Sequence, residues 1–149
     1  MSNIMRGFVA GFVATLVLSA LMLMKSAMGL MPELDVVAML AGMMGGALAV
    51  GWLAHFMIGT IAWGGLFALI EPSLPGESYW LKGVFLGMAA WLLMMVMVMP
   101  MAGAGIFGLG LGMAAPAMTL MLHVIFGAVL GGVYGALPSQ EHTHVHAHH

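Results

Sequence analysis

From Gly83 to Gln140 the chain runs for fifty-eight residues without one Asp, Glu, Lys or Arg. A soluble domain carries about a quarter charged residues to clothe its surface, so no water-facing fold accommodates such a stretch. The remainder is hardly more polar. The whole chain holds three Lys+Arg and five Asp+Glu in 149 residues, and 63% of it is hydrophobic. Backbone donors and acceptors find no partner in lipid, which leaves helices or a closed barrel. No segment alternates polar with apolar residues as a barrel strand does. The expected fold is therefore all-α, an integral membrane helical bundle whose first partner is the lipid bilayer. Nucleic-acid binding is excluded, because three cations make no basic footprint. With no cysteine, disulfides, thiolate metal sites and a Cys nucleophile are excluded as well.

A spanning helix needs about 20 mostly apolar residues. Eighteen uncharged residues separate Arg6 from Lys25, and thirty-five separate Asp35 from Glu71. The fifty-eight-residue run is long enough for two spans, broken at the Gly-rich segment between Pro100 and Pro116. Four helices are predicted, roughly 7–30, 48–70, 80–101 and 115–137. They form one transmembrane domain, residues 1–138, followed by a flexible His-rich tail, 139–149. Pro32 in a first helical turn, with Glu33 and Asp35 near the positive end of the dipole, predicts a short interfacial helix. Residues 71–79 predict a polar turn with Glu71 and Glu77 solvated. Residues 102–114, apolar and Gly-rich, are expected to pack on protein or lie at the interface. Arg6 and Lys82 open helices one and three, against Lys25 on the other side. The positive-inside rule then places both termini in the cytoplasm of a bacterial inner membrane. The first apolar run is long for the core of a cleaved signal peptide.

The chain also reads as a duplication. Arg6-Gly7-x3-Gly11 corresponds to Lys82-Gly83-x3-Gly87 at an offset of 76, and His55-x3-Gly59-x4-Gly64 to His123-x3-Gly127-x4-Gly132 at an offset of 68. Two like-oriented hairpins imply a four-helix bundle built from two parallel-repeat units around a pseudo-two-fold along the membrane normal. Gly7 with Gly11, Gly83 with Gly87, and the stripe Gly127, Gly131 and Gly135 are spaced for helix packing. Without a hydrophobic drive between helices in lipid, close backbone approach carries the association.

His55 and His123 are the residues most suggestive of function. An ionisable group within a span is costly and faces the bundle interior or a cavity. Gly59 and Gly127, four residues on, leave the next turn of each face bare, and Gly51 does so before His55. Three readings stay open. Each neutral imidazole bridges to a hydroxyl or carbonyl of a neighbouring helix, with Ser19, Thr60 and Thr119 as partners. Alternatively the two rings are the axial ligands of a b-type haem held between helices. In the third reading they bind copper or zinc with methionines or with carboxylates of the Glu33/Asp35 segment. Nineteen methionines bear on that last reading, since thioethers suit Cu(I), although Met also serves as a flexible apolar filler. Met94, Met95, Met97, Met99 and Met101 on helix three and Met22, Met24, Met28 and Met31 on helix one would form such a relay. The tail residues His142, His144, His146, His148 and His149 present alternating imidazoles that bind Ni(II), Cu(II) or Zn(II).

No nucleophile is paired with a base and an acid, and the Gly-x-Gly runs at 103–112 lack the strand and lysine of a phosphate loop. Lys25 is expected to pair with Glu33 or Asp35. The cation-Gly-x3-Gly entries, Trp52-x2-His55-x3-Gly59 and Leu122-His123-x3-Gly127-x3-Gly131-x2-Tyr134-Gly135 together resemble a family of small, uncharacterised four-helix bacterial inner-membrane proteins. The resemblance extends to Pro138 and implies the four-span fold, with no activity to carry over. The function expected first is a non-catalytic accessory subunit that packs against larger membrane subunits or further copies of itself, in a respiratory or metal-dependent complex. The alternatives are a b-type haem electron carrier through His55 and His123, and a copper-handling or transport protein using the methionines and the tail.

Overall fold

The computed structural model describes residues 1–139. Four helices are long and apolar enough to cross a membrane: α1 (Asn3–Ala27), α3 (Leu48–Ser73), α4 (Tyr79–Met101) and α5 (Ala115–Ala136). A short helix, α2 (Val36–Met43), lies between the first two. The described residues contain no strand, and the chain is a multi-pass membrane protein with a helical-bundle fold.

Local chemistry sets the helix ends. The Ser2 hydroxyl accepts from the Met5 N–H, which starts α1 earlier than the first charge at Arg6 predicts. At the other end Gly29 (φ 70°) and Met31 (φ 44°) turn left-handed and end it before residue 30. Pro32 and Glu33 lie outside any helix. Instead, Asp35 is the N-cap of α2, accepting from the Ala38 N–H at 3.0 Å, so the interfacial helix begins after the acidic pair rather than within it. The 102–114 segment folds back as a 3-10 stretch, Ile106–Leu111. Gly108 packs on Met99 and Ala115, and the Phe107 ring lies 6.0 Å from that of Trp91. This Gly-rich connection thus packs on protein at Ala104 and Gly108, whereas Ile106, Leu109 and Met113 stay exposed.

Glycines decide how the helices meet. A Cβ at Gly7 would run into the Gly64 carbonyl, and one at Gly11 into the Gly59 carbonyl. Correspondingly, a Cβ at Gly83 would run into the Gly127 carbonyl and one at Gly87 into the His123 carbonyl. In each hairpin a rising number on one helix meets a falling number on the other, so each hairpin is antiparallel. Gly131 meets the Tyr79 carbonyl and Gly135 the Tyr79 ring, so the whole stripe faces α4. Between hairpins, α1 packs along α5. There Arg6 donates to the Tyr134 carbonyl at 2.9 Å, which sets α1 antiparallel to α5 and hence parallel to α4. Helices α3 and α4 share no comparable interface. The order across the bundle is α3, α1, α5, α4, closed along α1–α5 and open between α3 and α4.

Two buried clusters fill the interior. One, near the start of α1, includes Ala10, Phe67, Leu86, Phe126, Leu130 and Tyr134. The other, near its end, is Leu34, Met94, Met95, Met99 and Ala104. The methionines therefore divide by face. Met22, Met94, Met95 and Met99 are buried, whereas Met24, Met28, Met97 and Met101 are exposed on the outer surface.

Candidate functional site: an imidazole-lined cavity between the hairpins

A cavity of about 270 Å³ lies on the open side of the bundle. All four spanning helices and α2 contribute to it. His55, Gly59 and Trp63 come from α3, Ala90, Leu93 and Met94 from α4, and Thr119, His123 and Phe126 from α5. Thr15, Met22 and Lys25 of α1 complete the wall, with Leu34 and Val36 above them. Both histidines of the spanning helices thus reach one cavity. Ile58 and Leu93, also on its wall, are exposed, so the cavity meets the outside of the bundle between α3 and α4.

Hydrogen bonds fix the protonated nitrogen of each ring. The Ser19 hydroxyl donates to the Thr15 carbonyl at 2.7 Å, which uses its one hydrogen. With that hydrogen placed on the Thr15 carbonyl, His55 Nε2, 3.2 Å from the same oxygen, is the nitrogen that carries the proton and donates. His123 Nδ1 lies 2.8 Å from the Thr119 carbonyl, which only accepts, so Nδ1 carries the hydrogen there. A neutral imidazole has one donor and one acceptor nitrogen. His55 is left with a bare Nδ1 and His123 with a bare Nε2, and neither makes a hydrogen bond among the described residues.

The surroundings hold this arrangement in place. His55 is 8% exposed, with the Trp52 ring edge-on at 5.8 Å. On its other side the expected bare turn is filled: a Cβ at Gly51 would strike the Val37 carbonyl of α2. Gly59 makes room for the Thr15 hydroxyl. Thr119 accepts from Trp91 Nε1 at 3.1 Å and donates to the Ala115 carbonyl at 2.7 Å. That bond ties α4 to α5 one turn from His123. Lys25, 6% exposed, donates to the Leu30 and Met31 carbonyls at 3.2 and 2.9 Å. It does not pair with Glu33 or Asp35, because the chain reverses over it and offers carbonyls first.

Several expectations change at this scale. His55 bridges between helices through Ser19, but His123 bonds within its own helix. Thr60 binds neither ring, and its hydroxyl is buried without a partner among the described residues. Glu71 is ion-paired with Lys82 rather than solvated, since the turn folds its carboxylate back to the entry of α4. No group of three or more His, Asp or Glu side chains gathers among the described residues. The tail residues His142, His144, His146, His148 and His149 lie outside them.

Two features of the site leave no signature in the sequence. α3 passes through a π-helical segment, Ile58–Trp63, which begins three residues after His55. α4 does the same at Met94–Val98. Wide turns of this kind are rare and concentrate at functional sites. Here both border the cavity, one on each side of its opening. The second feature is Arg6, 6% exposed, whose guanidinium lies 4.1 Å over the Tyr134 ring.

The molecule is thus a four-span membrane bundle with an interior cavity lined by two imidazoles. The chain belongs to a family of unknown function, DUF6789, whose model matches residues 1–145. No curated protein and no solved structure matches it.

Proposed function

We propose that the protein is a non-catalytic accessory subunit of the bacterial inner membrane, with both termini cytoplasmic. It works by holding a small, mostly apolar ligand between α3 and α4 beside a larger membrane partner in a respiratory or metal-dependent complex. One observation carries this reading. Imidazoles from different hairpins share an apolar cavity that opens sideways, where a lipid-dissolved molecule or a partner helix reaches it. Ligand sites between the helices of a bundle commonly take this form. Purification from native membranes in mild detergent, followed by mass spectrometry of retained proteins and lipids, tests it. A bare monomer with an empty cavity would refute the proposal.

The copper reading keeps one specific support: Met22 and Met94 line the same cavity as the two imidazoles. Metal analysis of the protein with and without residues 141–149 tests it. The haem reading fits less well. His55 Nε2 already donates to Ser19, and 270 Å³ falls at or below the range of about 300–1,000 Å³ usual for cofactor pockets. A Soret band that disappears in His55→Ala would reinstate it.

A further inference from the structure

The two imidazoles that line the cavity each keep one unused lone pair and no unused proton, and that selects the ligand. Because Ser19 and Thr119 fix both tautomers, the free nitrogens are acceptors, His55 Nδ1 and His123 Nε2. A ligand that carries only acceptors, such as a ketone or quinone, would set lone pair against lone pair. One that carries hydroxyls donates to them. The two acceptors stand on different helices, α3 and α5, so two hydroxyls on a compact rigid frame serve better than one. Apart from the imidazoles, the two threonines and Lys25, whose ammonium is held by two backbone carbonyls, the walls are apolar, which disfavours a charged ligand. Trp63 and Phe126 on those walls supply aromatic surface for a ring-shaped ligand. Lys25 lines the cavity too, and two of its three N–H groups are engaged. Its third suits a hydroxyl oxygen, which accepts while its hydrogen points to a ring nitrogen. The volume holds a head group, and the exposed Ile58 and Leu93 at the opening leave an apolar tail free to extend into lipid.

We propose that this cavity binds the head of a neutral dihydroxylated ring amphiphile, a hydroquinone, in preference to its oxidised quinone, with His55 and His123 as the hydroxyl acceptors. This rests on the ligand-holding role argued above and adds the chemical class. No electron transfer is part of it.

The test uses the full chain in lipid nanodiscs under anaerobic conditions. The probes are a radiolabelled decyl-substituted benzohydroquinone and the matching benzoquinone, with binding corrected for partition into empty discs. The hydroquinone should bind about tenfold or more tightly than the quinone, the discrimination that one hydrogen bond made or missing supplies. His123→Phe and His55→Phe keep a ring but remove the acceptor, and each should erase most of that preference. Leu69→Phe, on the outer face, should leave it unchanged. Ser19→Ala is the variant that a merely steric pocket would not notice. It frees the His55 tautomer, so the preference should shrink while quinone binding holds or rises. Equal affinities for the two probes, or hydroquinone binding indifferent to His123→Phe, would overturn the proposal. So would stoichiometric uptake of Cu(I) with no hydroquinone bound. If another apolar molecule co-purifies in the cavity while both probes fail, only the hydroquinone assignment falls. If nothing is retained, the ligand-holding role falls with it.

Discussion

Arg6 shows how one side chain takes on a different role in lipid than in water. In sequence it is a charge that marks the entry of helix one and helps orient the chain. In the fold it is buried, donates to the last turn of α5 through the Tyr134 carbonyl and to Asn3 Oδ1, and covers the Tyr134 ring. Carbonyls in the final turn of a helix lack full intrahelical partners, and a cation there also opposes the dipole. Replacing Arg6 with Met should therefore cost about 2 kcal/mol, the scale of a charged hydrogen bond, read from denaturant unfolding in detergent micelles. Arg6→Lys should recover little of it, because a lysine ammonium cannot reproduce the planar fork that both donates and stacks. That His55 and His123 would turn inward was legible from the cost of an imidazole in lipid. Which nitrogen each presents was not. That depends on Ser19 already donating to Thr15 and on the Thr119 carbonyl taking the hydrogen of His123 Nδ1, contacts that need the fold.

At the scale of elements the backbone, not the side chains, forms the interfaces. Where a Cβ at Gly83 would collide with the Gly127 carbonyl, even alanine forces the α4–α5 hairpin apart. Gly83→Ala should lower stability by about 1–3 kcal/mol, as overpacked interiors do. Gly42 in α2 has nothing within contact distance and a helical backbone, so Gly42→Ala should instead stabilise by up to about 1 kcal/mol. Thermal unfolding of both variants in the same detergent measures the contrast. The four spans could be read in advance, because uncharged runs of sufficient length have few alternatives in lipid. The glycine spacing also pointed to the faces that meet. The π-helical turns at Ile58–Trp63 and Met94–Val98 were hidden, since neither apolar segment carries a residue pattern that distinguishes an i→i+5 turn from an i→i+4 one. Lys25 departs from its charge pattern for a similar reason: its nearest acceptors are carbonyls of the segment turned by the left-handed residues Gly29 and Met31, which no charge pattern records.

For the whole molecule, what matters is that the bundle closes on one side only. Arg6, Tyr134 and the small residues of α1 join the hairpins along α1–α5, while the cavity holds α3 from α4. A symmetric pair of hairpins would have equivalent α1–α5 and α3–α4 contacts, so the asymmetry is where the site arises. It also fixes which ends share a membrane face. Ser2 and the turn at Glu77 lie at the Arg6–Lys82 end, and the segment around Glu33 lies at the Lys25 end. Because the chain has no cysteine, single replacements report topology directly. With both termini cytoplasmic, as proposed above from two cations against one, Glu33→Cys should react with a membrane-impermeant maleimide added to spheroplasts. Ser2→Cys and Glu77→Cys should react only after the membrane is permeabilised. Labelling of Ser2→Cys from outside would reverse the assigned orientation. Labelling of Ser2→Cys and Glu77→Cys from opposite sides would break the four-span fold itself, and with it the shared cavity on which the imidazole site depends.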